Sequence, residues 1–484
     1  MSTYQYELPT TGAVSFAEFL QDDSATYISE IAECTEARAN LRAILKESKR
    51  TDDGEKDYLK LVKALDDYIP RLFSVVACLD HGDLRLKAEP VFSWRTTLSS
   101  TLFHTSPRLS IPLLVTELTF ALLTYAFALS NLARAIVYSL GSYEKQRSIT
   151  DAERRVKDER LGFAVTLLCR TAGIFEYIGK DCLALWERER DRVVSSGLNC
   201  PRPPDLSREV VMGLSKMALA DAQSLAIRKL VSKAAVESTL NPGPPLPKSH
   251  PSPALVAKLH LECASLYSTA RSLVKTPGAT RTPSKSRNFL HLGKGKGKDK
   301  MQEETGEEVT PELRHYLSDE AAFHAALAKQ WLGVDTGEIG GTEKMGIAVG
   351  FIAWAKKELE DLRSGSAVIE SDREKEMRER RRLKVAEELE NASVFLKGYT
   401  RINDTLACQP VPPQADLQAS IPAGRLAVVV KPYTPPIPAF GPGSVNHLGQ
   451  QAEGLEIDTQ ATGATDGTFS PQSQKSYAGA GSYF

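Results

Sequence analysis

Residues 209–230, EVVMGLSKMALADAQSLAIRKL, and 254–274, ALVAKLHLECASLYSTARSLV, decide how this chain is read. In both runs apolar residues recur at three- and four-residue spacing, the pattern of a helix with one buried face. Leu255 and Leu259 lie four apart and so share a face. Their stripe continues through Cys263, Leu266, Ala270 and Leu273, which by periodicity alone reads as core packing. The connector 241–253 holds six prolines in thirteen residues and is expected to run extended.

Outward from this pair, helical spacing recurs over 27–45, 55–79, 111–140, 152–194, 208–236, 311–331, 343–362 and 369–396. The fold class is therefore mainly α, a helical-repeat-like array without a strict repeat period. Stretch 111–137 is very apolar, but Glu117, Asn131 and Arg134 interrupt it, so it reads as a buried helix and not as a membrane span. Residues 373–382 are almost wholly charged with mixed sign, the mark of a solvated helix. The alternating stretch 84–94 predicts a small β-hairpin. Segment 276–308 is too poor in apolar residues to fold and reads as a disordered insertion. Pro-, Gly-, Ser- and Gln-rich composition from 433 onward predicts a disordered tail.

Across 484 residues, 60 Lys and Arg oppose 61 Asp and Glu, a balance that argues against nucleic acid as a bulk partner. The seven cysteines form no Cys-x-x-Cys pair and several sit in apolar helices, as expected of reduced, buried thiols in a cytoplasmic protein. Residues 1–20 lack a basic stretch followed by an apolar one, so no secretory signal is expected. The eight histidines make no His-x-x-x-His pair, and neither a metal nor a cofactor is expected. Gly293–Lys300 alternates glycine and lysine without the spacing of a phosphate loop. The basic run from Arg271 to Lys298 offers only a weak field for an anionic surface, because Glu303, Glu304, Glu307 and Glu308 follow it. Thr276, Thr282 and Ser470 each precede proline and are weak candidates for phosphorylation. No constellation for catalysis is present in the sequence, and the chain reads as a non-enzyme.

The order of motifs resembles the BRO-one domain of the Alix family of endosomal-sorting adaptors. Phe92-Ser-Trp94 is similar to a family strand, and 118–133, ending Asn131-Leu-Ala133, is similar to a family helix. Met217-Ala-Leu-Ala-Asp-Ala-Gln223 resembles the family's Met-Leu-Ala-Gln-Ala-Gln, with Asp221 departing from it. Ala254-Leu-Val-Ala-Lys-Leu259 resembles Ala-Ile-Ile-Ala-Lys-Leu, followed by the aromatic Tyr267. Arg401-Ile-Asn-Asp404, Val411-Pro412, Ile421-Pro422 and Val430-Lys431-Pro432 resemble the family's closing segment. The resemblance spans 1–435, interrupted by 276–308, and leaves 436–484 as tail. That tail is too short for the coiled arm of Alix. A lone domain with a short tail is similar to a fungal branch of the family in ambient-pH signalling, as are Leu8–Phe16 and Trp94–Ser100.

The resemblance implies an elongated, banana-shaped helical domain that docks proteins. Its partner would be the amphipathic C-terminal helix of an ESCRT-III core subunit, taken up by helix-in-groove recognition. Carried over by motif, the apolar patch falls on Ala226, Leu255 and Leu259. Leu225 and Ile227 flank Ala226, where the family has a large aromatic, and Asp158 matches a neighbouring family acid. The pathway so implied leads, under alkaline conditions, to activation of a transcription factor by a separate cysteine protease. The adaptor would be recruited peripherally to plasma or endosomal membrane. The alternative is a general multivesicular-body sorting adaptor with no dedicated pH role.

Overall fold

A computed structural model describes residues 3–52, 56–99, 108–275, 309–364 and 372–449. The insertion 276–308, residues 450–484, and with them Thr276, Thr282, Ser470 and the 293–300 run lie outside the described residues.

Long helices follow one another: α1 (Ile28–Arg50), α2 (Tyr58–His81), α3 (Leu114–Leu140), α4 (Asp151–Tyr177), α5 (Leu183–Ser195), α6 (Arg208–Leu240), α7 (Pro253–Val274), α8 (Pro311–Ile339), α9 (Met345–Ser364) and α10 (Asp372–Ile402). Short α11 (Gln414–Ala419) comes last, and a π-turn, Ile178–Cys182, joins α4 to α5. Each long helix packs on its neighbour in the row α1-α2-α3-α4-α6-α7-α8-α9-α10, as expected for an elongated α array. Local chemistry sets several starts. Thr150 and Glu153 form a capping box at α4, and the Asp57 carboxylate accepts from the Lys60 amide at α2.

One large core runs from the N-terminal segment to the start of α8, and a second lies among α8, α9 and α10. Trp331 packs against both. The apolar windows of α3, α4–α5 and α6 are long and apolar enough to cross a membrane, but 78, 61 and 83% of each is buried within the fold. Six cysteines are buried as expected, whereas Cys408 is exposed, at the end of the π-turn Asn403–Ala407.

The strands differ from the predicted hairpin. β3 (Val91–Arg95) pairs antiparallel with β4 (Arg108–Pro112), and β1 (Leu20–Gln21) pairs with β2 (Arg85–Leu86). Alternation within 84–94 located the strands but not their partners, which lie elsewhere in the sequence.

The connector 241–253 is docked on the second core. Glu338 accepts from the Leu246 amide, Leu246 packs among the α8–α10 side chains, and Pro244 presses on Gly398.

In the segment after α11, Phe440, Gly441 and Ser444 are buried on the fold, while Ile437, Val445 and Leu448 stand exposed. An extended strap runs back from α7 to α2. The Arg425 amide donates to the Lys258 carbonyl (2.9 Å) and the Lys431 amide to the Cys169 carbonyl (3.1 Å). Gly173 permits the crossing, since a Cβ there would stand 1.8 Å from the Lys431 carbonyl oxygen. Further on, the Phe440 amide donates to Ser74 Oγ (3.0 Å) and its ring is buried beside Tyr27. Gly441, at φ +71°, turns the chain against Cys78.

Candidate docking face on helices α4, α6 and α7

Three antiparallel helices carry the predicted patch. Gln223 donates to the Leu259 carbonyl and Cys263 to the Ala220 carbonyl, which sets the α6–α7 register and continues to Leu255 beside Ala226 and Ile227. Asp158 accepts from Ser232, and Gly162 lies under the Lys229 ammonium, so Ala226 falls beside Val165 and Thr166 of α4.

On one side of this trio the residues repeat at helical spacing: 162, 166, 169 and 173 on α4; 223, 226 and 230 on α6; 255, 258 and 262 on α7. The strap crosses one end of these rows. Gln223 is its knot: its amide nitrogen donates to the Arg425 and Leu259 carbonyls and its oxygen accepts from the Ala427 amide. Beyond the strap, Leu255 and Ala226 are partly exposed and Leu230 is 38% exposed. Val156 and Phe163 on α4 are more than half exposed, at 56 and 53%.

The expected site residues therefore divide. Leu255 and Ala226 sit at the surface. Leu225, Ile227 and Leu259 are 1, 2 and 3% exposed and point into the core, so the core reading of the stripe holds for Leu259. Asp158 is a tie between elements: its carboxylate accepts from Tyr143 Oη and from Ser232 Oγ. Beside it Arg228 pairs with Glu144 (2.9 Å) and lies 5.5 Å over the Tyr143 ring. Burial and the Asp158 carboxylate push the Tyr143 hydroxyl above its ordinary range.

Sequence reasoning did not single out Leu230 or Phe163. The signal was available for Leu230, an apolar residue four positions beyond Ala226 on its exposed row. For Phe163 there was none, since its exposure depends on the helices packed around α4.

Asp221, the residue that departs from the family motif, lies beneath this face and not on it. It is 2% exposed and accepts hydrogen bonds from Tyr267 Oη (2.5 Å) and Tyr316 Oη (2.6 Å). Burial pushes its carboxyl up to about 7, against the pull of both hydroxyls. Nearby, His260 Nδ1 and His324 Nδ1 are 2.8 Å apart, and burial holds both imidazoles well below their ordinary range, so they are neutral. Among the described residues no group of three or more His, Cys, Asp or Glu is placed to hold a metal ion.

Comparison with known proteins joins this geometry to a family. The model of the BRO1-like domain matches residues 17–442. The chain belongs to the BRO1-like domain family. A curated relative, pH-response regulator protein palC of Cryptococcus neoformans var. neoformans serotype D (strain B-3501A), is 36% identical over the whole of both chains. Proteins of the same name from Yarrowia lipolytica and Emericella nidulans are each 24% identical, over 90% of this chain and 94 and 89% of theirs. A crystal structure of ALIX in complex with the SIVmac239 PYKEVTEDL late domain superposes with a TM-score of 0.57 at 15% identity, covering 96% of this chain and 56% of that one. A structure described as the basis for endosomal targeting by the Bro1 domain gives 0.51 at 15% identity, covering 89 and 94%. The chain is thus similar along its whole length to a protein named as a pH-response regulator.

Proposed function

We propose that this BRO1-like chain acts in the ambient-pH response by receiving the amphipathic C-terminal helix of an ESCRT-III core subunit on the open part of the α4–α6–α7 face. The observation that carries this reading is the neighbouring exposure of Leu255, Ala226 and Leu230, in adjacent register beside the strap. An incoming helix presents apolar residues at i, i+3, i+4 and i+7, which suits a row of partly open apolar positions across parallel grooves. Ala226 leaves room where the family has an aromatic, and Phe163 of α4 is an exposed aromatic on the same helix as Gly162 and Thr166. Leu225, Ile227 and Leu259 support the face from within, and Asp158 holds the 143–145 turn against it. The transcription factor would be cleaved by a separate cysteine protease, and the chain would reach plasma or endosomal membrane through its partners from the cytoplasm.

Each buried apolar anchor contributes about 1.5–3 kcal/mol. Leu255→Asp and Leu230→Asp are therefore expected to weaken a fluorescently labelled ESCRT-III C-terminal peptide by at least about tenfold while leaving helical circular dichroism intact. Unchanged affinity in both folded variants rules out the face. Leu259→Asp is unsuited to this test because that side chain is core.

A second reading, general endosomal sorting, is favoured by the likeness to a Bro1 domain described in terms of endosomal targeting. A deletion strain separates the two. Failure to grow at alkaline pH with normal cargo sorting supports the first, and missorting with normal alkaline growth supports the second.

A further inference from the structure

We propose that strap residues 431–438 are a docking ridge for a protein module whose aromatic-lined groove takes up polyproline II segments, the chemistry of SH3-class domains. The ridge lies further along the strap than the crossing at Gln223 and uses none of the proposed ESCRT-III anchors.

The sequence sets the local conformation. In Lys431-Pro-Tyr-Thr-Pro-Pro-Ile-Pro438 the prolines 432, 435 and 438 stand three apart, the repeat of a polyproline II helix. Each proline fixes its own φ at about −65° and pushes the residue before it into extended or polyproline II backbone. Pro432, Pro435, Pro436 and Pro438 are fixed directly, and Lys431, Thr434 and Ile437 each precede a proline. Only Tyr433 is left unconstrained by this rule. In the structure 431–438 is extended and belongs to no helix or strand.

Exposure follows the same period of three. Tyr433 and Pro436 are half-buried, and the Tyr433 ring lies 5.1 Å from that of Tyr177 on α4. The other two rows turn outward. Lys431, Thr434 and Ile437 are exposed, Ile437 at 63%, and so are Pro432 and Pro435, with Pro438 half-buried at the end. Two neighbouring pairs, Thr434-Pro435 and Ile437-Pro438, therefore face solvent while their spacer, Pro436, packs on the fold. A Pro-x-x-Pro ligand meets an aromatic groove through two such pairs. Packing needs Tyr433 and Phe440 but makes no use of the Ile437 side chain. Strand addition is ruled out as the mode, since four of the eight residues have no N–H and the Lys431 amide is already given to Cys169.

Both ends of the ridge are tied down. The Lys431 amide donates to the Cys169 carbonyl (3.1 Å), the Ala439 amide to the Pro70 carbonyl (3.4 Å) and the Phe440 amide to Ser74 Oγ (3.0 Å). A segment held in this way has little freedom left to lose on docking.

The full-length chain titrated by biolayer interferometry against a panel of immobilised SH3 domains tests the ridge. Saturable binding to at least one domain is expected. Against that domain Pro435→Ala and Ile437→Asp should each weaken binding by about tenfold or more. Val429→Asp, at an exposed strap position outside the motif, should leave it unchanged. Amide exchange at Lys431 and Phe440 should stay as slow as in the wild type, showing that the strap remains seated. The free peptide 431–440 should bind more weakly than the chain, because it must be ordered first. Absence of binding to every domain overturns the proposal, as does unaltered affinity of both variants with a seated strap. A free peptide that binds more tightly than the chain also overturns it, since docking would then require the strap to detach. Self-association of the chain that Ile437→Asp abolishes, without SH3 binding, would give the ridge to a second copy and overturn it likewise.

Discussion

Two buried carboxylates, Glu117 and Asp221, stand in the same helical row and are held in opposite ways. Glu117 of α3 is wholly buried and takes Arg38 Nε at 2.9 Å, Arg38 Nη2 at 3.2 Å, Tyr68 Oη at 2.8 Å and Trp94 Nε1 at 2.7 Å. The remaining Arg38 donors reach the Gly12 carbonyl and Thr11 Oγ1, so one ion pair ties α1, α2, α3, β3 and the N-terminal segment. Asp221 of α6 has two tyrosine hydroxyls and no bonded cation, and Lys384 pairs with Glu320 instead. A buried charge facing an opposite charge is a fixed structural knot. One facing only hydroxyls is left close to neutrality, and its charge state follows pH.

Breaking the first knot should have the largest effect. Glu117→Ala leaves the Arg38 guanidinium buried without its counter-ion, and about 3–5 kcal/mol of stability should be lost in urea unfolding. A loss below about 1 kcal/mol would show that the pair does not hold these elements together.

Asp221 makes the next prediction, in pH instead of contacts. Its folded carboxyl lies near 7, above the ordinary 3.8, so the folded state holds a proton that the unfolded state releases. Stability should therefore be full below about pH 4, fall by on the order of 4 kcal/mol as pH rises through 7, and level off about one unit higher. Asp221→Asn keeps an oxygen for both hydroxyls and should abolish this slope in thermal or chemical unfolding. A variant that retains the wild-type slope would assign it to another group.

Two smaller changes sharpen the contrast. Trp94→Phe removes one donor from Glu117 and should cost about 1.5–3 kcal/mol. Tyr316→Phe removes one donor from Asp221 and should cost about 1 kcal/mol, with the loss greater on the alkaline side because the hydroxyl favours the ionised form. Equal losses for Tyr316→Phe at acid and alkaline pH would mean that the hydroxyl does not discriminate between the two forms.

How much was legible follows from range. Helix positions from 208 to 240 and from 253 to 274 were readable because 3.6-residue spacing is local. The partner of β3 was not, because pairing with 108–112 is a tertiary contact. The placement of Phe440 was not legible for a related reason. Composition after 433 has few apolar residues, yet the Phe440 and Ala439 amides bond to α2 and the Phe440 ring is buried. Composition counts apolar residues but cannot see the surface awaiting them.

The candidate site shows the same limit. A motif placed Leu255, Leu259 and Ala226 together, and the register across α6 and α7 does bring Leu255 beside Ala226. Which of them faces solvent depends on the neighbouring helices and on a strap about 170 residues further along, whose Arg425 meets Lys258. Leu230 and Phe163 became candidates only when exposure was known.

By itself the sequence determined a mainly helical row, the approximate extent of its long helices and its family, because periodicity and motifs are written in local order. Tertiary structure alone decided that Leu259 is core, that the strap crosses Gln223 and that Asp221 has tyrosines for partners. Burial and pairing are properties of what surrounds a residue, and in this chain those surroundings come from segments up to 366 positions away.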